Sequence, residues 1–176
     1  LNPLTSGINM QADSRLREVN TIGEKAFKDC SRLQSVIFPD NLKEINTEAF
    51  AGTDLRTSVV FNSYSDVVFG ERVFSNTRIT SITLPKTKEL SAEIFANCTA
   101  LKNITFAKTG KIGRGAFKGC TAIEQIDLSQ AEAIAIGAET FAGCKRLKKV
   151  ILSVTMNLKP IGDKAFANCE SLENLT

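Results

Sequence analysis

The nine residues Ile22-Gly-Glu-Lys-Ala-Phe-Lys-Asp-Cys30, IGEKAFKDC, decide the fold because they return. IGRGAFKGC runs from Ile112 to Cys120, IGAETFAGC from Ile136 to Cys144 and IGDKAFANC from Ile161 to Cys169. Three weaker copies fill the gap: INTEAFAGT ending at Thr53, FGERVFSNT ending at Thr77 and LSAEIFANC ending at Cys98. Their phenylalanines, Phe27, Phe50, Phe74, Phe95, Phe117, Phe141 and Phe166, lie 23, 24, 21, 22, 24 and 25 residues apart. A period in the low twenties marks a solenoid, in which each unit buries its apolar face only against its neighbours.

Each column of the repeat has a physical task. After the ninth position comes a short apolar alternation, as in Leu33, Val36, Phe38 or Leu101, Ile104, Phe106. The last two members of each set stand two apart, the spacing of a strand with one face inward. Stacked repeats make these strands parallel neighbours, and Pro39 and Pro85 end two of them. The second column of the nine, Gly23, Asn46, Gly70, Ser91, Gly113, Gly137 and Gly162, reads as a turn that needs positive φ. Stretches such as Glu24 to Phe27 read as single helical or 3₁₀ turns, closed by a left-handed cap at Asp29, Gly52, Asn76, Asn97, Gly119, Gly143 and Asn168.

The pattern I-G-x-x-A-F-x-x-C-x-x-L-x-x-I-x-L-P resembles the BspA-type leucine-rich repeats of bacterial surface proteins, over about Leu16 to Thr176. Thr53 and Thr77 depart from it by replacing cysteine. The expected architecture is an α/β repeat solenoid. It is a right-handed leucine-rich-repeat coil of about seven repeats, with a parallel β-sheet on the concave face and short helical or 3₁₀ turns opposite. Residues 1–15 read as a degraded repeat or N-terminal cap, in which Ile8 and Met10 form a strand pair. Residues 16–176 read as one leucine-rich-repeat domain of a longer chain, because the sequence stops inside a repeat. An uncapped last repeat would leave an edge open to end-to-end self-association.

Composition narrows the chemistry. The 176 residues suit one domain, and a net charge of +3 is too mild to imply nucleic acid. No apolar run is long enough to span a membrane. Histidine is absent, which removes the commonest general base and metal ligand together. The five cysteines, Cys30, Cys98, Cys120, Cys144 and Cys169, all fall three residues after a repeat phenylalanine. Their odd number and wide spacing fit neither a disulfide framework nor a zinc site, so they read as small core side chains. GKIGRG at 110–115 lacks the Lys-Ser/Thr ending of a P-loop, and the repeat register already explains Gly113. The basic run Lys145, Arg146, Lys148 and Lys149 reads as a solvated face, with a patch for an anionic partner as the alternative. Carboxylates are scattered, and no nucleophile motif appears. No catalytic, cofactor or metal residues are expected.

What remains is the outward face of the strands. One column reads Ser35, Ser58, Ser81, Asn103, Gln125, Lys149 and Asn174; the other reads Ile37, Val60, Thr83, Thr105, Asp127, Ile151 and Thr176. Such a surface of small polar groups and a few aliphatics suits spread contacts with a protein or glycan partner. It lacks the Trp, Tyr and Arg that dominate hot spots, since the chain has no Trp and its one tyrosine, Tyr64, lies elsewhere. Modest affinity is the expectation. The sequons Asn97-Cys-Thr99 and Asn103-Ile-Thr105 would carry glycan only in a secreted eukaryotic protein, and a sugar on Asn103 would obstruct this face. The resemblance implies a cell-surface or secreted adhesion module bound to host matrix or cell-surface proteins; a structural spacer for a neighbouring domain is the alternative.

Overall fold

A computed structural model describes residues 6–56, 58–61, 66–107, 109–129, 135–152 and 161–175. Tyr64 and Thr176 lie outside this set, as does the Ser58 side chain. Every described strand pairing is parallel, and the chain winds as a β-solenoid of about six turns. Strands of three residues, β1 (Gly7–Asn9), β3 (Ser35–Ile37), β5 (Ser58–Val60), β7 (Ser81–Thr83), β9 (Asn103–Thr105), β11 (Gln125–Asp127) and β13 (Lys149–Ile151), with the shorter β14 (Asn174–Leu175), make one face. A second row holds two three-stranded sheets, one of β2 (Thr21–Ile22), β4 (Glu44–Ile45) and β6 (Val68–Phe69), the other of β8 (Thr87–Leu90), β10 (Thr109–Ile112) and β12 (Ala135–Ile136). The strands of this row lead into the nine-residue segment.

The helical turns expected in that segment are not there: no helix of either kind occurs among the described residues, and the class is all-β, not α/β. The backbone bonds show why. The N–H groups of the fourth, sixth and eighth positions donate to the third, fifth and seventh carbonyls of the next coil, as in Phe95 N–H to Ala116 O at 2.9 Å and Asn97 N–H to Lys118 O at 2.7 Å. The set recurs at every junction from Lys25–Thr47 to Gly143–Ala167. The seventh and ninth N–H groups close short turns inside the segment, as in Ala96 to Glu93 and Cys98 to Phe95. A helix needs successive amides pointed the same way along its axis. Here every second amide is spent between coils, so the segment is a run of overlapping turns.

Those turns require left-handed backbone at two places. The eighth position has it as expected, with φ of 57° to 75°. The fourth position has it too, at Lys25, Glu48, Arg72, Glu93, Gly115, Glu139 and Lys164, with φ of 55° to 60°. The second-position glycines do not, so their expected role is corrected. A Cβ on Gly137 would stand 2.8 Å from Arg114 N, and one on Gly162 would stand 2.4 Å from Ala138 N. Glycine is used there because the backbone of one coil lies on the next.

The core is a pile of rings and thiols. The seven repeat phenylalanines stack at centroid distances of 4.9 to 5.8 Å; Phe38, Phe61 and Phe106 meet the stack edge-on. Phe50, Phe74, Phe95, Phe117 and Phe141 are fully buried, while Phe27 and Phe166 at the ends are partly so. Beside them the thiols of Cys98, Cys120, Cys144 and Cys169 each donate to the carbonyl of the preceding coil's phenylalanine, at 3.0 to 3.2 Å. Thr53 and Thr77 turn instead to the phenylalanine carbonyl of their own coil. All five cysteines are free thiols.

Candidate partner-binding face

The strand columns align as the sequence places them. Ser35 pairs in register with Ser58, Ile37 with Val60, Ser81 with Asn103 and Thr83 with Thr105; Gln125 pairs with Lys149 and Asp127 with Ile151. Between them Val36, Ile82, Ile126 and Val150 are buried, so the flanking side chains turn outward by alternation. Thr83, Asn103, Thr105, Gln125, Asp127 and Asn174 are exposed, and Ser35, Ile37, Ser81, Lys149 and Ile151 half-buried. Val60, at 39 %, is one of the few exposed large aliphatics.

Two shallow depressions interrupt the face. One, of about 290 Å³, lies over β5, β7 and β9, floored by Val59 and Ile82 and edged by Val60, Phe61, Thr83 and Thr105. The other, of about 420 Å³, lies between β9 and β11, lined by Asn103, Thr105, Gln125 and Asp127 with Lys102 and Glu124. It marks one of two breaks in the sheet: β5 and β7 are also unpaired, although Thr80 N–H still reaches Arg56 O there. At the β7–β9 junction Lys102 and Asn103 N–H reach Thr80 O, and Leu84 N–H reaches Thr105 O. At β11–β13 the same three bonds run from Lys148 and Lys149 to Glu124 O and from Leu128 to Ile151 O. Between β9 and β11 they have no counterpart, and no strand pairing joins the two. Column reading could not find this break, because it treats every junction alike; Lys102 and Glu124 were missed for the same reason.

Charges near the face are largely paired. Glu124 binds both Arg146 and Lys148, and Lys145 pairs with Glu170 at 3.1 Å, so three of the four cations in the basic run meet carboxylates of adjacent coils. Hydrogen bonding from Ser129, with Lys149 beside it, holds the Asp127 carboxyl below its ordinary range. The 110–115 glycine stretch offers no phosphate cradle: Gly113 N–H donates to Leu90 O and Gly115 N–H to Ala138 O. Burial pushes the Cys98 thiol up to about 11 and Cys144 up to about 12, far from the range of reactive thiolates. Among the described residues no cluster of His, Cys, Asp or Glu has the arrangement of a metal site.

Comparison with known proteins agrees with this architecture. The profile of the BspA type leucine rich repeat region matches residues 9–69 and 67–176, in six copies. A leucine-rich repeat protein from Bacteroides ovatus superposes with a TM-score of 0.56 at 20% identity, over 95% of this chain and 65% of that one. The pneumococcal vaccine antigen PcpA superposes with a TM-score of 0.58 at 18% identity, over 90% of this chain and 56% of that one. The chain thus spans less than two thirds of either structure's length. No curated protein sequence matches it.

Proposed function

This chain belongs to the BspA-type leucine-rich repeat family, and from that premise we propose that it is the binding module of a cell-surface or secreted protein, adhering through its outward strand face to a partner protein. The observation that carries the reading is the apolar strip at the N-terminal half of the face. Ile37 and Val60 lie side by side in register, and Val60 and Phe61 edge a depression floored by Val59 and Ile82. Elsewhere along the face the outward positions are mostly polar. An apolar strip rimmed by Ser and Thr is what a protein partner desolvates on docking. The lack of Trp and Arg at these positions sets the affinity in the micromolar range and makes avidity the route to firm adhesion.

The test is capture from solubilised host matrix and cell-surface proteins, identification of the captured species, and direct titration of the purified partner. Val60→Asp and Thr83→Lys place a charge in the strip without touching the core. Each is expected to weaken the measured affinity at least about tenfold. A partner bound equally by both variants overturns the reading, and recovery of nothing specific favours a spacer that holds a neighbouring domain away from its anchor.

A further inference from the structure

We infer that the break between β9 and β11 is a subsite for a neutral, polyhydroxylated ligand, a glycan chain. It rests on the strand face being a binding face; Asn103 and Thr105 border both depressions, but Gln125 and Lys102 line this one alone and Val60 only the apolar one, so the two readings fail separately. Three observations carry it. First, the broken ladder leaves both kinds of main-chain group without the partners their equivalents have at the β7–β9 and β11–β13 junctions: the N–H of Phe106, Glu124 and Gln125, and the C=O of Lys102 and Asp127. Second, the side chains over the break are themselves unspent. Asn103, Thr105, Gln125 and Lys102 have no side-chain hydrogen bond or ion pair within the described residues, whereas the neighbouring Glu124, Arg146 and Lys148 are paired together. Third, the depression is open and shallow, about 420 Å³, the size of a sugar unit or two and not of an enclosed metabolite.

The mixture of donors and acceptors selects the ligand class. A phosphate or carboxylate accepts only, and would leave the Lys102 and Asp127 carbonyls unmet beside the Asp127 carboxylate. An ammonium group donates only, and would leave the three amides unmet. A hydroxyl does both, and neighbouring hydroxyls on a sugar ring suit the planar amides of Asn103 and Gln125, each of which presents a donor beside an acceptor. The site has no aromatic platform, so recognition runs through hydrogen bonds and is weak per sugar unit.

The experiment is an amide-resolved NMR titration of the whole chain with neutral hexasaccharides of glucose, mannose, xylose and N-acetylglucosamine, and with heparin fragments as the charged control. The expected result is saturable movement of the Phe106, Glu124 and Gln125 amides with at least one neutral hexasaccharide. Asn103→Ala and Gln125→Ala should each weaken that binding at least about fivefold, with the rest of the spectrum unchanged, and Val60→Asp should bind as the parent does. No response to any neutral hexasaccharide up to about 10 mM, movement confined to other coils, binding unchanged in both alanine variants, or binding of heparin alone would each overturn the subsite.

Discussion

Gly137 and Gly23 occupy the same position of the repeat and separate two explanations for its glycine. Neither has positive φ, yet a Cβ on Gly137 would meet three main-chain atoms of the preceding coil within 2.9 Å, whereas one on Gly23 would meet nothing within 4 Å. Backbone cannot swing aside as a side-chain tip can. Gly137→Ala should therefore cost about 2 kcal/mol or more in urea denaturation. Gly23→Ala should be neutral or stabilise by about 0.5 kcal/mol, through the entropy of the unfolded chain. Equal effects at the two sites would contradict the contact explanation. The thiols give a second residue-scale prediction. Burial raises Cys98 to about 11 and Cys144 to about 12 from an ordinary value of 9.0. The folded chain therefore keeps these protons to higher pH than the unfolded chain. Their contribution to stability is complete below pH 9 and is lost as pH climbs toward 11 to 12, by about 1.4 kcal/mol per unit for each thiol. Denaturation midpoints at pH 8, 10 and 11 check it, and Cys98→Thr, the residue the column already uses at Thr77, should flatten the fall. At pH 8 a thiol-alkylating reagent should reach the half-buried Cys30 and Cys169 first and the other three only on unfolding.

Among the elements, the aromatic stack carries the packing. Phe117 is sandwiched between Phe95 and Phe141 at 5.5 and 5.6 Å and touched edge-on by Phe106, while Phe166 has a ring on one side only. Phe117→Ala should cost about 4 kcal/mol, and Phe166→Ala visibly less, because its site is already open on one side. This stack was legible in the sequence: an inward position must stay apolar and of one size from coil to coil, so Phe, Cys and the strand apolars recur. The second left-handed position was not. Lys25, Glu48, Arg72 and Glu93 occupy it, and none of these types signals positive φ as Gly or Asn does. Their side chains reach along the stack, where Arg72 pairs with Glu93 at 2.6 Å and Lys28 with Glu48 at 2.7 Å. What the column displays is charge; what it conceals is backbone geometry. The second-position glycines were the converse, a correct residue read for the wrong cause, since sequence shows that a side chain is absent but not whether dihedral or distance excludes it.

For the whole molecule, stability is close to a sum of coils and junctions, so a defect at one junction stays local. The β9–β11 break provides a direct measure. Phe106 N–H, in a nearly buried residue, should exchange with solvent at least about 100-fold faster than Leu84 and Leu128 N–H, its equivalents in bonded junctions. Equal protection would mean that the ladder closes there in solution. The candidate face itself was readable as far as its columns go, because the strand period of two assigns inside and outside without further information. Which junctions open was not readable, since Asn103-Ile-Thr105 and Gln125-Ile-Asp127 alternate as regularly as their neighbours.

The division of amides in the nine-residue segment, alternately spent inward and onward, leaves that segment with no room to gain or lose a residue. The unequal steps of 21 to 25 between phenylalanines must then be absorbed entirely in the stretch from one cysteine position to the next isoleucine position. That stretch is the natural splice point: whole cassettes cut there can be deleted, duplicated or exchanged with relatives while every seam closes, so the length of such a rod can drift freely while its cross-section stays fixed.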